Sequence, residues 1–203
     1  MLASIAFQLR PLRPPEIDPP CPYAAPVLCA ELPTDGLALE RTLAAPPNTP
    51  RHWAYATFVD MPFLVAYAAL LMGVVLVRRP RSKAARPIAA LFVVAALCDL
   101  SENLGIFGAL QSAVTDADAM WVRRSALAKF LLLDFGCVLA GALAARSVTG
   151  TLRAAWWLIS ALNVAALASI TANVELSLVS VTLACVVAAV EALRRRRLSP
   201  RPS

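Results

Sequence analysis

The chain has 203 residues, of which 59% are hydrophobic and only 16% charged, with a mean hydropathy of +0.66 and a net charge of +6. A soluble domain of this length carries more charge, and here the apolar residues fall in long blocks, which is the pattern of membrane spans. The basic residues sit in short runs at the ends of those blocks, as in cytoplasmic loops, so the positive charge does not point to nucleic acid.

Residues 1–52 form a Pro-rich segment. The start, MLASIAFQLR, is too short to span a bilayer and lacks the cleavage site of a signal peptide. Between residues 11 and 50 eleven prolines remove backbone donors and fix φ, which disfavours a long helix or a central strand. One short helix is expected from Thr34 to about Leu43, capped by Thr34 or Asp35. Val27, Leu28, Leu32, Leu37, Leu39 and Leu43 make the segment more apolar than a disordered linker, so it is expected to fold back on the bundle.

The membrane bundle is expected over residues 53–193, with spans at 53–77, 87–110, 125–145, 154–172 and 175–193. Pro87 fits the first turn of the second span. The apolar stretch from Leu152 to Leu193 would rise about 63 Å as one helix, twice the hydrocarbon core. It therefore divides in two, at Thr171, Asn173 and Glu175. Four spans, with one of these segments lying in the interface, is the alternative. The fold class is thus an all-α polytopic bundle, followed by a basic tail at 194–203.

Orientation follows from charge. The loop over residues 78–86 holds Arg78, Arg79, Arg81, Lys83 and Arg86 without an acid, and the tail holds Arg194, Arg195, Arg196 and Arg197. Positive residues stay inside, so the N-terminus is expected outside and the C-terminus in the cytoplasm of a bacterial-type cell membrane. The same arginines are placed to meet anionic headgroups. Trp53, Tyr55 and Trp121 are expected at the outer interface and Trp156 and Trp157 at the inner one.

Ionisable groups deep in lipid cost about 2.5 to over 10 kcal/mol each, yet the spans keep Asp60, Asp99, Glu102, Lys129 and Asp134, with Asn103 beside Glu102. At 1.5 Å per residue, Asp60 and Lys129 lie roughly 6–9 Å from the outer end, and Glu102, Asn103 and Asp134 roughly 10–14 Å. Asp99, Glu102 and Asn103 are spaced i, i+3, i+4 and share one face. Two such carboxylates cannot both ionise cheaply without a nearby cation. Lys129 is the only basic side chain at that depth, so it is expected to pair with one of them, first Glu102, then Asp99. Asp60 and Tyr67 lie two turns apart on one face of the first span. Asp134 lies about 140° round from Lys129 and is free to meet another neighbour.

Cys21 and Cys29 both lie in the extracytoplasmic segment, where a disulfide can form. Cys98, Cys137 and Cys185 read as small buried hydrophobes. The single histidine, His52, has no partner at metal-binding spacing, and no phosphate loop or nucleophile elbow is present, so neither metal nor cofactor is expected.

The segments ELPTDG (31–36), FVDMPFLVAY (58–67), CDLSENLGIF (98–107) and AKFLLLDF (128–135) together resemble a group of bacterial multi-spanning membrane proteins without an established function. In that group an E-L segment precedes the first span, followed by D-x-x-F-x-x-x-Y, D-x-x-E-N and a membrane lysine. Asp60, Phe63 and Tyr67 fit the first pattern, and Asp99, Glu102 and Asn103 the second. The resemblance implies a polytopic fold and adds no activity. Three functions are open to such a chain. One is binding or transport of a small cation, proton or polar headgroup. The others are a non-catalytic partner subunit, and an intramembrane acid/base enzyme acting on a lipophilic substrate. The alternative is that the buried groups are plain interhelical glue, but at about 0.6 kcal/mol per contact that is little return for so many charges.

Overall fold

The computed structural model describes residues 22–23, 27–46, 49–78, 82–169 and 174–198. Among these, the protein is all-helical: α1 (Val27–Glu31), α2 (Gly36–Ala44), α3 (Pro50–Arg78), α4 (Ala85–Ala109), α5 (Asp116–Ala145), α6 (Gly150–Ser169) and α7 (Val174–Leu198). The last five are long and apolar enough to cross a membrane. They bear large apolar side chains on their outward surfaces, including Phe58, Val65, Leu97, Leu104, Leu158 and Leu193. Water would reject such a surface, whereas lipid solvates it. The protein is an integral membrane protein. The expected break at Thr171 and Asn173 lies outside the described residues, but Glu175 falls in the first turn of α7.

Helix boundaries follow local chemistry. Asp35 caps α2, accepting a hydrogen bond from the Ala38 amide at 2.8 Å. That amide and the Thr34 hydroxyl hold the Asp35 carboxyl below the usual carboxylate range. α4 starts two residues before Pro87, the expected start, because Ser82 receives the Ala84 and Ala85 amides. Pro87 remains in the first turn, where its missing N–H has no intrahelical partner to lose. The helix that carries the third apolar block begins at Asp116, ahead of Ser125. Thr115 and Asp118 form a reciprocal cap there: the Asp118 amide donates to Thr115 Oγ1 at 3.2 Å, and the Thr115 amide to Asp118 Oδ2 at 2.9 Å. α1 is an extra turn, unforeseen because prolines surround it.

The chain forms two compact units. Unit 1 comprises Met1–Ala66 and Ala96–Lys129. Its core joins Ala30, Leu39 and Leu43 of the N-terminal segment to Trp53, Ile106, Ala109, Ala119 and Val122. Trp53 is thus a core residue, only 2% exposed, whereas Tyr55 and Trp121 are exposed. Each fully buried Leu contributes about 1.5–3 kcal/mol, and Leu28 and Leu39 are fully buried, which holds α1 and α2 down. The Gly36 amide donates to Asp116 Oδ1 at 2.8 Å and Arg123 Nη1 to the Pro33 carbonyl at 3.3 Å. A Cβ on Gly36 would stand 2.7 Å from the Thr115 carbonyl carbon, so only glycine permits this approach.

Unit 2 comprises Tyr67–Ala95 and Phe130–Ser203. Here α6 and α7 pack along each other. Gly136 faces the Phe92 ring, and Gly141 lies against the Trp156 carbonyl and the Ser160 hydroxyl; small residues let membrane helices approach closely. Trp156, also buried, donates from Nε1 to Glu191 Oε2 at 3.0 Å.

Candidate functional site

The polar residues singled out from the sequence divide between the two units. Asp60, Asp99, Glu102, Asn103 and Lys129 belong to unit 1; Tyr67 and Asp134 belong to unit 2.

In unit 1 the i, i+3, i+4 spacing on α4 turns Asp99, Glu102 and Asn103 inward, and all three are buried. Lys129 approaches from α5. Its Nζ stands 2.8 Å from Glu102 Oε2 and 3.2 Å from Asp99 Oδ1. Asn103 turns the other way and donates from Nδ2 to Asp60 Oδ2 of α3 at 2.9 Å. A serine pair, Ser101 and Ser125, adds a contact of 3.3 Å between α4 and α5.

One member was not anticipated. Glu31, the last residue of α1, places Oε2 3.4 Å from Lys129 Nζ. Burial pushes its carboxyl above the ordinary carboxylate range, the nearby Lys129 charge only partly offsetting that effect. Its signal was available in the E-L segment, where apolar residues flank a lone acid. The N-terminal segment therefore does more than cover unit 1: it delivers a carboxylate to the buried lysine.

Among the described residues acids outnumber bases here. Glu31, Asp99 and Glu102 surround the ammonium of Lys129, and Asp60 adjoins them through Asn103. Glu31 Oε2 and Glu102 Oε2 lie within ion-pair distance of Lys129, yet neither buried oxygen receives a hydrogen bond.

In unit 2 Asp134, fully buried, meets hydroxyls of α7: Ser177 Oγ donates to Oδ2, and Ser180 Oγ lies 3.5 Å from Oδ1. Asn163 of α6 lies beside Ser180. Tyr67 is buried. Cys29 is disulfide-bonded; Cys21, its expected partner, lies outside the described residues, as do Arg79 and the side chains of Arg78 and Arg195 to Arg197. Cys98, Cys137 and Cys185 are free thiols.

No protein-family model matches the chain, and no curated protein or solved structure matches it.

Proposed function

We propose that the unit 1 cluster is a binding site for a small cationic ligand, with the proton as its primary occupant, and that the protein binds or conducts protons through it. The observation that carries this reading is the excess of acid among the described residues: the buried Glu31, Asp99 and Glu102 lie within ion-pair distance of the Lys129 ammonium, and the half-buried Asp60 is bonded to Asn103 beside them. Desolvated carboxylates in such excess neutralise by taking up protons or recruit a cation, and membrane carboxylates of this kind mark proton and ion pathways. The Lys129 ammonium at the centre repels a metal ion, and among the described residues no group of acids converges as metal ligands do. The proton fits the space and the charge.

The positive-inside pattern supports an N-terminus outside and a C-terminus in the cytoplasm, with the arginines at 78–79 and 194–197 facing anionic headgroups on the inner side. On that orientation the cluster lies in the outer half of the bilayer, where Glu31 reaches it from the extracytoplasmic segment. A partner-subunit role draws on the same segment, but it leaves the surplus carboxyls without a purpose.

The test is proton flux in proteoliposomes of the full chain, driven by a potassium diffusion potential and followed with a lumenal pH dye. Wild type should acidify or alkalinise the lumen faster than Glu102→Gln and Asp99→Asn. Equal rates in all three, matching empty liposomes, overturn the conduction reading.

A further inference from the structure

The Asp134 cluster stands apart from the site just proposed: it lies in unit 2 and contains different residues. Asp134 projects from α5, Ser177 and Ser180 from α7 and Asn163 from α6, and all four are buried. Among the described residues no lysine or arginine reaches this carboxyl. Its charged and titratable surroundings are Cys137 on its own helix and Cys185 on α7, which faces Cys137. A thiol carries no positive charge in either protonation state. Phe92 from α4 packs nearby against Gly136, and the Glu191 carboxylate of α7 is engaged by Trp156.

Hydrogen counting shows what is missing. The Ser180 hydroxyl owns one hydrogen, but three acceptors surround its Oγ: Asp134 Oδ1 at 3.5 Å, Asn163 Oδ1 at 3.2 Å and the Ser177 carbonyl at 3.0 Å. The Ser177 carbonyl lies within α7, whose backbone ladder supplies an amide. Asp134 Oδ1 and Asn163 Oδ1 therefore compete for a single hydrogen. Asn163 cannot resolve the shortage, since its Nδ2 is turned to the Ile159 carbonyl at 2.8 Å. One additional hydrogen on Asp134 removes the conflict. Oδ1–H donates to Ser180 Oγ, Ser180 donates onward to Asn163 Oδ1, and Ser177 continues to donate to Oδ2. When the proton leaves to water, the Ser180 hydroxyl turns back to Oδ1 and Asn163 Oδ1 loses its donor.

We infer that Asp134, Ser177, Ser180 and Asn163 form a second cation site in the protein, one that takes a proton on Asp134 Oδ1 and reports its presence to α6 through Ser180. Asp134 sits where α5, α6 and α7 meet, so loading and unloading the proton rearranges the hydrogen bonds that join three helices of unit 2. The site shares no residue with the Lys129 cluster, and either can fail its test without the other.

Infrared spectroscopy of the full chain in lipid nanodiscs tests this. At neutral pH the wild type should show the carbonyl band of a protonated carboxyl that is lost in Asp134→Asn and unaffected when choline replaces Na+. Ser180→Ala, which removes the acceptor but keeps the helix, should displace the band toward that of a free acid, and it stands in should Asp134→Asn fold poorly. Identical spectra in wild type and Asp134→Asn, or a band unmoved by Ser180→Ala, overturn the proposal. A band that appears only when Na+ is withdrawn overturns it also, since the site is then a sodium site.

Discussion

Lys129 Nζ stands 2.8 Å from Glu102 Oε2 and 3.4 Å from Glu31 Oε2, so a membrane helix and the segment ahead of the first span deliver carboxylates to the same ammonium. The segment is held by apolar burial and by backbone contacts at Gly36 and Pro33, and its acid reaches the cluster as a result. Folding of the segment and the charge balance of the site are therefore coupled.

Removing the ammonium should be costly. Lys129→Met leaves several buried carboxyls without compensation, a loss of about 3–5 kcal/mol, reduced where an acid takes up a proton instead. Adding Glu102→Gln should restore part of that stability. Folded yield after detergent extraction, read by size-exclusion chromatography, should rank wild type first, the double variant second and Lys129→Met last. A single variant as well folded as wild type contradicts the pairing.

The Asn103–Asp60 bond links α4 to α3. Asn103→Leu deletes the donor and should destabilise by about 1–3 kcal/mol, because a part-buried hydrogen bond to a carboxyl group is lost. Asp60→Leu combined with Asn103→Leu should cost less than the two single changes together. Thermal unfolding in nanodiscs measures the coupling, and strict additivity would mean that the bond contributes nothing.

Gly36 is the close-approach point of the N-terminal segment. Gly36→Ala drives a Cβ into the Thr115 backbone, where no flexible side chain can yield, and should cost about 1–3 kcal/mol. Limited proteolysis should then cut residues 27–46 faster than in wild type, with the spans still protected. Unchanged cleavage would show that the segment is not seated as described.

Glu31 gives the docking a pH dependence with a definite sign. Burial raises its carboxyl above the ordinary value of 4.5, so the folded chain binds this proton more tightly than the unfolded chain. The contribution is complete below pH 4.5 and is lost as pH rises through the raised value. The stability difference between wild type and Glu31→Gln should therefore shift in favour of Glu31→Gln as pH increases. A difference that is constant from acid to neutral pH refutes the assignment.

Much of this was legible in the residues themselves. Apolar blocks of span length forecast five membrane helices, and the fivefold division of α3 to α7 agrees. The common face of Asp99, Glu102 and Asn103 follows from helical geometry alone, and Lys129 stood out as the cation at their depth. Glu31 gives no periodic signal, because it precedes the spans among prolines that break any pattern. Ser177, Ser180 and Asn163 carry little signal, because small polar residues are ordinary in membrane helices; the i, i+3 spacing of the two serines is the cue. Glu191 was masked by the arginine run beside it, and Trp53 and Trp156 look interfacial by position alone, since nothing in a linear sequence shows which ring a neighbouring helix covers.

The central claim is that acids outnumber bases around Lys129 and hold an exchangeable proton. Potentiometric titration of the full chain in nanodiscs, wild type against Glu31→Gln combined with Glu102→Gln, measures it most directly. The account predicts that the wild type releases at least one additional proton above the ordinary carboxylate range, and that the double variant does not. Superimposable titration curves in that range would contradict it.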